Sequence, residues 1–181
     1  QRQMCIRDRS MQRRVGAHEH NILVTQNSLT ITYDRLGRRE SVLRMRRDVY
    51  SGFLKLYGKE HGETIRSAFN YADSLRQLKR FEEAKTLMRK MIPVARRVLG
   101  EEHSVTLTMK AIYAEALYVD PGATLEDVRE AVTTLEEIEP IARRVLGGNH
   151  PFTVHIEPTL QNARSKLASF DALSERMRDL S

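Results

Sequence analysis

The chain has 181 residues, is 40% hydrophobic and 30% charged, and carries a formal net charge of +6 with no tryptophan. It holds enough apolar material for an aliphatic core, but no run of about 18 apolar residues that could cross a membrane as a helix. The basic excess sits in the first sixty residues, without the interleaved aromatics or motif of a nucleic-acid surface, so neither membrane nor nucleic acid is an expected partner.

In chain order, Met4-Cys5-Ile6-Arg7-Asp8 resembles a sequencing adapter translated in frame. Residues 1–10 are therefore set aside as a disordered appendage, and the array is taken as residues 11–181. Without Cys5 the body has no cysteine, which fits a reducing, cytoplasmic compartment. Arg13-Arg14-Val15 copies Arg96-Arg97-Val98, so the chain reads as an N-terminally incomplete fragment with additional repeats upstream.

A repeat organises the rest. Ala95-Arg96-Arg97-Val98-Leu99-Gly100-Glu101-Glu102-His103 returns as Ala142-Arg143-Arg144-Val145-Leu146-Gly147-Gly148-Asn149-His150. The same ending occurs at Leu56-Tyr57-Gly58-Lys59-Glu60-His61, and a worn copy at residues 13–20. From His20 through His61 and His103 to His150 the steps are 41, 42 and 47, the signature of stacked helical repeats.

The first repeat predicts helices over 21–35 and 39–57. In the second, Ile65, Ala68, Phe69, Ala72, Leu75 and Leu78 step by three and four, predicting a helix over 62–78. A second stripe from Phe81 to Leu99 predicts 81–99, closed by Gly100 in a left-handed conformation, with Arg96 and Arg97 at its carbonyl end. Leu99 and Leu146 are expected to be buried at the hairpin ends. The third repeat predicts 104–119 and 125–146, separated by the turn Asp120-Pro121-Gly122, with Thr124 as helix cap. Pro93 and Pro140 stand at one shared position and predict a common bend. A first helix over 151–167 and a separate capping helix over 169–180, with Phe170, Leu173, Met177 and Leu180 on its apolar face, complete the array.

No constellation for catalysis stands out. His61, His103 and His150 recur once per repeat, which suits a helix cap or packing residue better than a metal ligand, and His18-Glu19-His20 lacks a third ligand. There is no phosphate loop and no nucleophile–base set. The chain is read as a non-enzyme with no cofactor or metal.

These junctions resemble the Leu-Gly-x-x-His-Pro-x-Thr-Leu junction of tetratricopeptide-repeat arrays of the kinesin-light-chain-like type. The resemblance rests on His150-Pro151-Phe152-Thr153-Val154, on Leu99 to Leu107, and on Arg80-Phe81-Glu82-Glu83-Ala84 between the helices. It implies an all-α superhelix of antiparallel hairpins, with repeats at about 20–60, 61–102 and 103–149 and a partial repeat with cap over 150–181. It further implies a concave groove lined by the first helices. The groove positions fall on Asn27, Ile31 and Asp34; on Arg66, Phe69, Asn70, Asp73 and Arg76; and on Thr108, Ala111, Glu115 and Tyr118. The expected peptide-binding set is Asn27, Arg66, Phe69, Asn70, Asp73, Arg76, Thr108 and Glu115. The implied function is a cytoplasmic protein-interaction scaffold or adaptor with a protein or peptide partner. The alternative is the regulatory or oligomerising repeat tail of a larger, truncated protein, an enzyme included.

Overall fold

The computed structural model describes residues 2–178. Over that span it has seven helices: α1 Arg2–Arg35, α2 Arg39–Tyr57, α3 Gly62–Gln77, α4 Phe81–Leu99, α5 Ser104–Val119, α6 Leu125–Leu146 and α7 Pro151–Arg178. Short loops fold α1 onto α2, α3 onto α4 and α5 onto α6. Each helix packs on its neighbours in sequence, and α5 also touches α3 and α7. The result is an all-helical stack of hairpins whose main hydrophobic cluster runs unbroken from Ile65 to Ala163.

Periodicity explains which faces are covered. In α3, Ile65, Ala68, Ala72 and Leu75 are at most 1% exposed and face α4 as the three-and-four spacing requires. Helix α5 is covered on two sides, so between Thr106 and Leu117 only Thr108 and Lys110 escape full burial. That second covered side places Met109, Ile112, Tyr113 and Ala116 in the core as well.

The recurring histidine is a helix cap. His61 Nδ1 accepts from Glu63 N–H, His103 Nδ1 from Val105 N–H and His150 Nδ1 from Phe152 N–H, each at 3.2 Å. Each bond requires an unprotonated Nδ1 and satisfies one of the amides left unpaired at a helix start. His103→Ala is therefore expected to cost about 1 kcal/mol, and His103→Asn much less, in urea melts. Equal losses for the two would show that the ring acts by packing instead. At the opposite ends, Gly58, Gly100 and Gly147 have φ of 78°, 99° and 91° with ψ between 154° and 176°. The expected left-handed closure is thus a more extended, glycine-only conformation. The last-turn arginines also close the open ends of the hairpins, Arg97 reaching Glu60 and Arg144 reaching Glu102, both at 2.6 Å.

The five-residue excess of the third repeat is a fastened turn. Gly122 N–H donates to Asp120 Oδ1 at 2.9 Å, and the buried Lys85 of α4 reaches Oδ2 at 3.1 Å. Thr124 and Asp127 then form a reciprocal capping box for α6. The Gly122 amide and the Lys85 ammonium hold the Asp120 carboxyl below its ordinary 3.8. Its stabilising effect is full above the unfolded value and is lost as pH falls through the lower folded one. The melting midpoint should consequently drop below about pH 4 more steeply in the wild type than in Asp120→Asn. Parallel profiles would contradict this role.

Four expectations need correction. Residues 13–20 lie inside α1 and are no junction, because nothing after Gly16 breaks the helix and His20 packs edge-on against Phe53 and Tyr57. Residues 2–10 belong to the same helical run. The first and capping helices of the last repeat are one helix, α7, since Ala168-Ser169 offers no breaking residue; the Leu180 of the expected cap lies outside the described residues. Leu99 and Leu146 are half-buried, each sitting where its hairpin opens to solvent. Helices α4 and α6 continue through Pro93 and Pro140, each proline removing one internal hydrogen bond, as the expected bend at this shared position requires.

Candidate groove on the first-helix side

The stack curves toward its first helices. Helix α3 touches α5 and α5 touches α7, whereas among the described residues α2, α4 and α6 make no contact with one another. This inner side is therefore lined by α3, α5 and α7, and α1 joins it through the Asn27–Asn70 side-chain contact. Counting from the junction histidine, position +5 gives Arg66, Thr108 and His155; position +12 gives Asp73, Glu115 and Asn162.

A continuous polar network crosses this side. Arg46, on α2, donates through Nη1 to the Asn70 carbonyl at 3.0 Å and to Ser74 Oγ at 2.7 Å, and lies 3.8 Å from Asp73. Asp73 also binds Arg76 Nη2 at 2.8 Å and Gln77 Nε2 at 2.7 Å. Arg76 then bridges to the next first helix, with Nη1 2.8 Å from Glu115 Oε2. His155 Nε2, on α7, lies 2.9 Å from Glu115 Oε1; since a carboxylate only accepts, that nitrogen carries the hydrogen. Burial pulls the Arg76 guanidinium down, but Glu115 and Asp73 outweigh it and hold it above the ordinary arginine value. It stays charged, and Glu115, only 7% exposed, has the Arg76 guanidinium on one side and the His155 N–H on the other.

Five of the eight sequence-predicted residues come together here. Asn70 Nδ2 donates to Asn27 Oδ1 at 3.4 Å, and Asp73, Arg76 and Glu115 are linked in series. Three stand apart. Arg66 is exposed and makes no ion pair among the described residues, Thr108 bonds its own helix at the Ser104 carbonyl, and Phe69 is half-buried against the core. Sequence reasoning missed Arg46, which arrives from a second helix, and His155, which the +5 register would have found. It also missed Lys166, which donates to the Tyr118 and Asp120 carbonyls at 2.6 and 3.1 Å and so closes the α5 end. A cleft of about 430 Å³, flanked by the stacked rings of Tyr50 and Tyr71, lies between α2, α3 and α4 and shares no residue with this set.

Residues 64–104 match the model of the tetratricopeptide repeat. The chain has the fold of a tetratricopeptide-repeat solenoid. Its fold is shared with solved kinesin-light-chain-type repeats. The nearly identical TPR-like repeats of a Podosopora anserina protein assigned as a kinesin light chain superpose with a TM-score of 0.71 at 21% identity, over 87% of this chain and 72% of that one. BtubC (BKLC) of P. vanneervenii superposes with a TM-score of 0.62 at 15% identity, over 88% of this chain and 66% of that one. No curated protein matches the sequence. At these identities the likeness concerns the fold alone.

Proposed function

We propose that the chain is a protein-interaction scaffold that holds an extended peptide along the first-helix groove, and that it acts by binding and not by catalysis. Tetratricopeptide repeats generally mediate protein–protein contacts, which supports the first half of this reading. The observation that carries it is a division of labour on the inner wall. Most of the groove's charges are spent on one another, from Arg46 through Asp73, Arg76 and Glu115 to His155. Arg66 is left without an ion pair among the described residues, and Val24 and Ile31 on α1 are 41% and 57% exposed. The network is then the floor, and Arg66, Val24 and Ile31 are the groups that face a ligand. They suit a peptide with an acidic residue beside an apolar one. Binding as opposed to catalysis fits the fate of the recurring histidines, whose Nδ1 atoms are occupied as caps. A cytoplasmic adaptor belongs to the same reading.

A peptide array probed with the wild type and with Arg66→Glu combined with Ile31→Lys tests it. The double variant should keep its helix content and lose about ten-fold or more in affinity for acidic–apolar peptides, and wild-type binding should weaken with salt. Lys90→Ala on α4 serves as the control. Arg89 is unsuitable because it holds the Tyr113 hydroxyl at 2.9 Å. A double variant that retains every peptide would contradict the assignment.

A further inference from the structure

Two sets of three residues share one repeat register and end differently. By the repeat steps, Arg89 of α4, Tyr113 of α5 and Glu130 of α6 correspond to Arg47 of α2, Tyr71 of α3 and Glu83 of α4. The later set is closed. The Arg89 guanidinium stands 5.6 Å over the Tyr113 ring and its Nε donates to the phenol at 2.9 Å, while the phenol donates to Glu130 at 2.8 Å. The earlier set is drawn apart by its neighbours. Arg47 turns to Asp48, with Nε and Nη2 each 3.4 Å from Oδ1; the counterpart of Asp48 is Lys90, which accepts nothing. Glu83 is taken by Arg80 at 2.6 and 2.8 Å, whereas the counterpart of Arg80 is Asp127. Among the described residues the Tyr71 phenol is left with no hydrogen bond, and its ring stacks on Tyr50 beside the cleft of about 430 Å³ between α2, α3 and α4. The Tyr50 phenol meets the Met91 sulfur at 3.8 Å. Burial, and after it Glu83, push the Tyr71 phenol above its ordinary value, so it keeps its proton.

We propose that the Tyr50–Tyr71 cleft takes an arginine side chain of a partner protein, seated over the Tyr71 ring as Arg89 is seated over Tyr113. The closed set selects this occupant, because it shows what the same phenol and carboxylate hold when a guanidinium is within reach. A planar guanidinium stacks on the ring while donating to the phenol and to Glu83, whose oxygens keep lone pairs beyond those that Arg80 uses. Glu82 and Glu83, with side chains 75% and 50% exposed, add negative charge at the mouth of the cleft. Lys90, also exposed there, opposes it. The site shares no residue with the first-helix groove, so it stands or falls independently of the groove reading.

The test is an NMR titration of the full chain, carrying ring-labelled tyrosine, with acetyl-Gly-Gly-Arg-Gly-Gly-amide and with its lysine counterpart. The Tyr50 and Tyr71 ring signals should shift saturably with the arginine peptide, and the lysine peptide should bind about three-fold or more weakly. Tyr71→Leu should abolish the response at Tyr50 in a chain whose melting curve shows it folded. Lys90→Glu, an exposed change that keeps the test open if Tyr71→Leu does not fold, should tighten binding about three-fold or more. Absence of a saturable shift at Tyr50 and Tyr71 would overturn the proposal, as would equal binding of the two peptides or an affinity unmoved by Lys90→Glu. So would a response that appears only in Arg47→Ala, since Arg47 would then be the guanidinium that closes the cleft.

Discussion

Replacing Arg76 by alanine is expected to lower the unfolding free energy by about 2 kcal/mol. Loss of one partner from a fully buried ion pair costs about 3–5 kcal/mol, because the remaining charge is stranded away from water. Here the Arg76 side chain is 28% exposed and that of Glu115 is 10% exposed, so water can reach part of the site and the penalty is reduced. Glu115 would keep only His155 on its far side, and Asp73 would keep Arg46 at 3.8 Å and Gln77. Glu115→Gln in the Arg76→Ala background should recover part of the loss, since a neutral amide is cheaper to bury than an unpaired carboxylate. Urea denaturation of the wild type, both single variants and the double variant measures this coupling. Strictly additive effects would mean that the two side chains are neighbours without energetic dependence.

The larger effect is expected in α5. Leu107→Ala should cost about 2–5 kcal/mol, the range for removing a buried leucine and leaving a partly collapsed cavity. Leu107 is 0% exposed in the cluster that α3, α4, α5, α6 and α7 share, so its neighbours are fixed on several sides and cannot close in easily. Leu99, half-buried at the open end of its hairpin, should cost about 1 kcal/mol when shortened in the same way. The contrast is the informative part. If Leu99→Ala proved the more damaging of the two, stability would reside at the junctions and not in the stacked middle of the solenoid.

Both the legibility of the fold and its limits have physical causes. The bounds of α2 to α6 follow from the sequence because most ends carry their own chemistry, a histidine cap, a glycine in a glycine-only conformation or the Thr124–Asp127 box, and the uncapped starts of α2 and α4 follow tight turns through the positive-φ residues Gly37 and Lys79. The two terminal helices did not, since no such signal divides residues 13–20 or Ala168-Ser169, and periodicity alone continues through both. The groove was half legible. Asp73, Arg76 and Glu115 fall at positions set by helical spacing, so the residues could be found. Their partnership could not, because Arg76 and Glu115 stand 39 positions apart and meet at 2.8 Å only when two hairpins stack. Arg46 was missed for the same reason: it enters the first-helix wall from a second helix.

The reading of the inner wall is tested most directly by amide hydrogen exchange of the full chain with and without an acidic–apolar peptide selected on the array. The account predicts added protection along α1 near Val24 to Ile31 and along α3 and α5, with α4 and α6 unchanged. Protection confined to α4 and α6, or to the cleft beside Tyr50 and Tyr71, would contradict it.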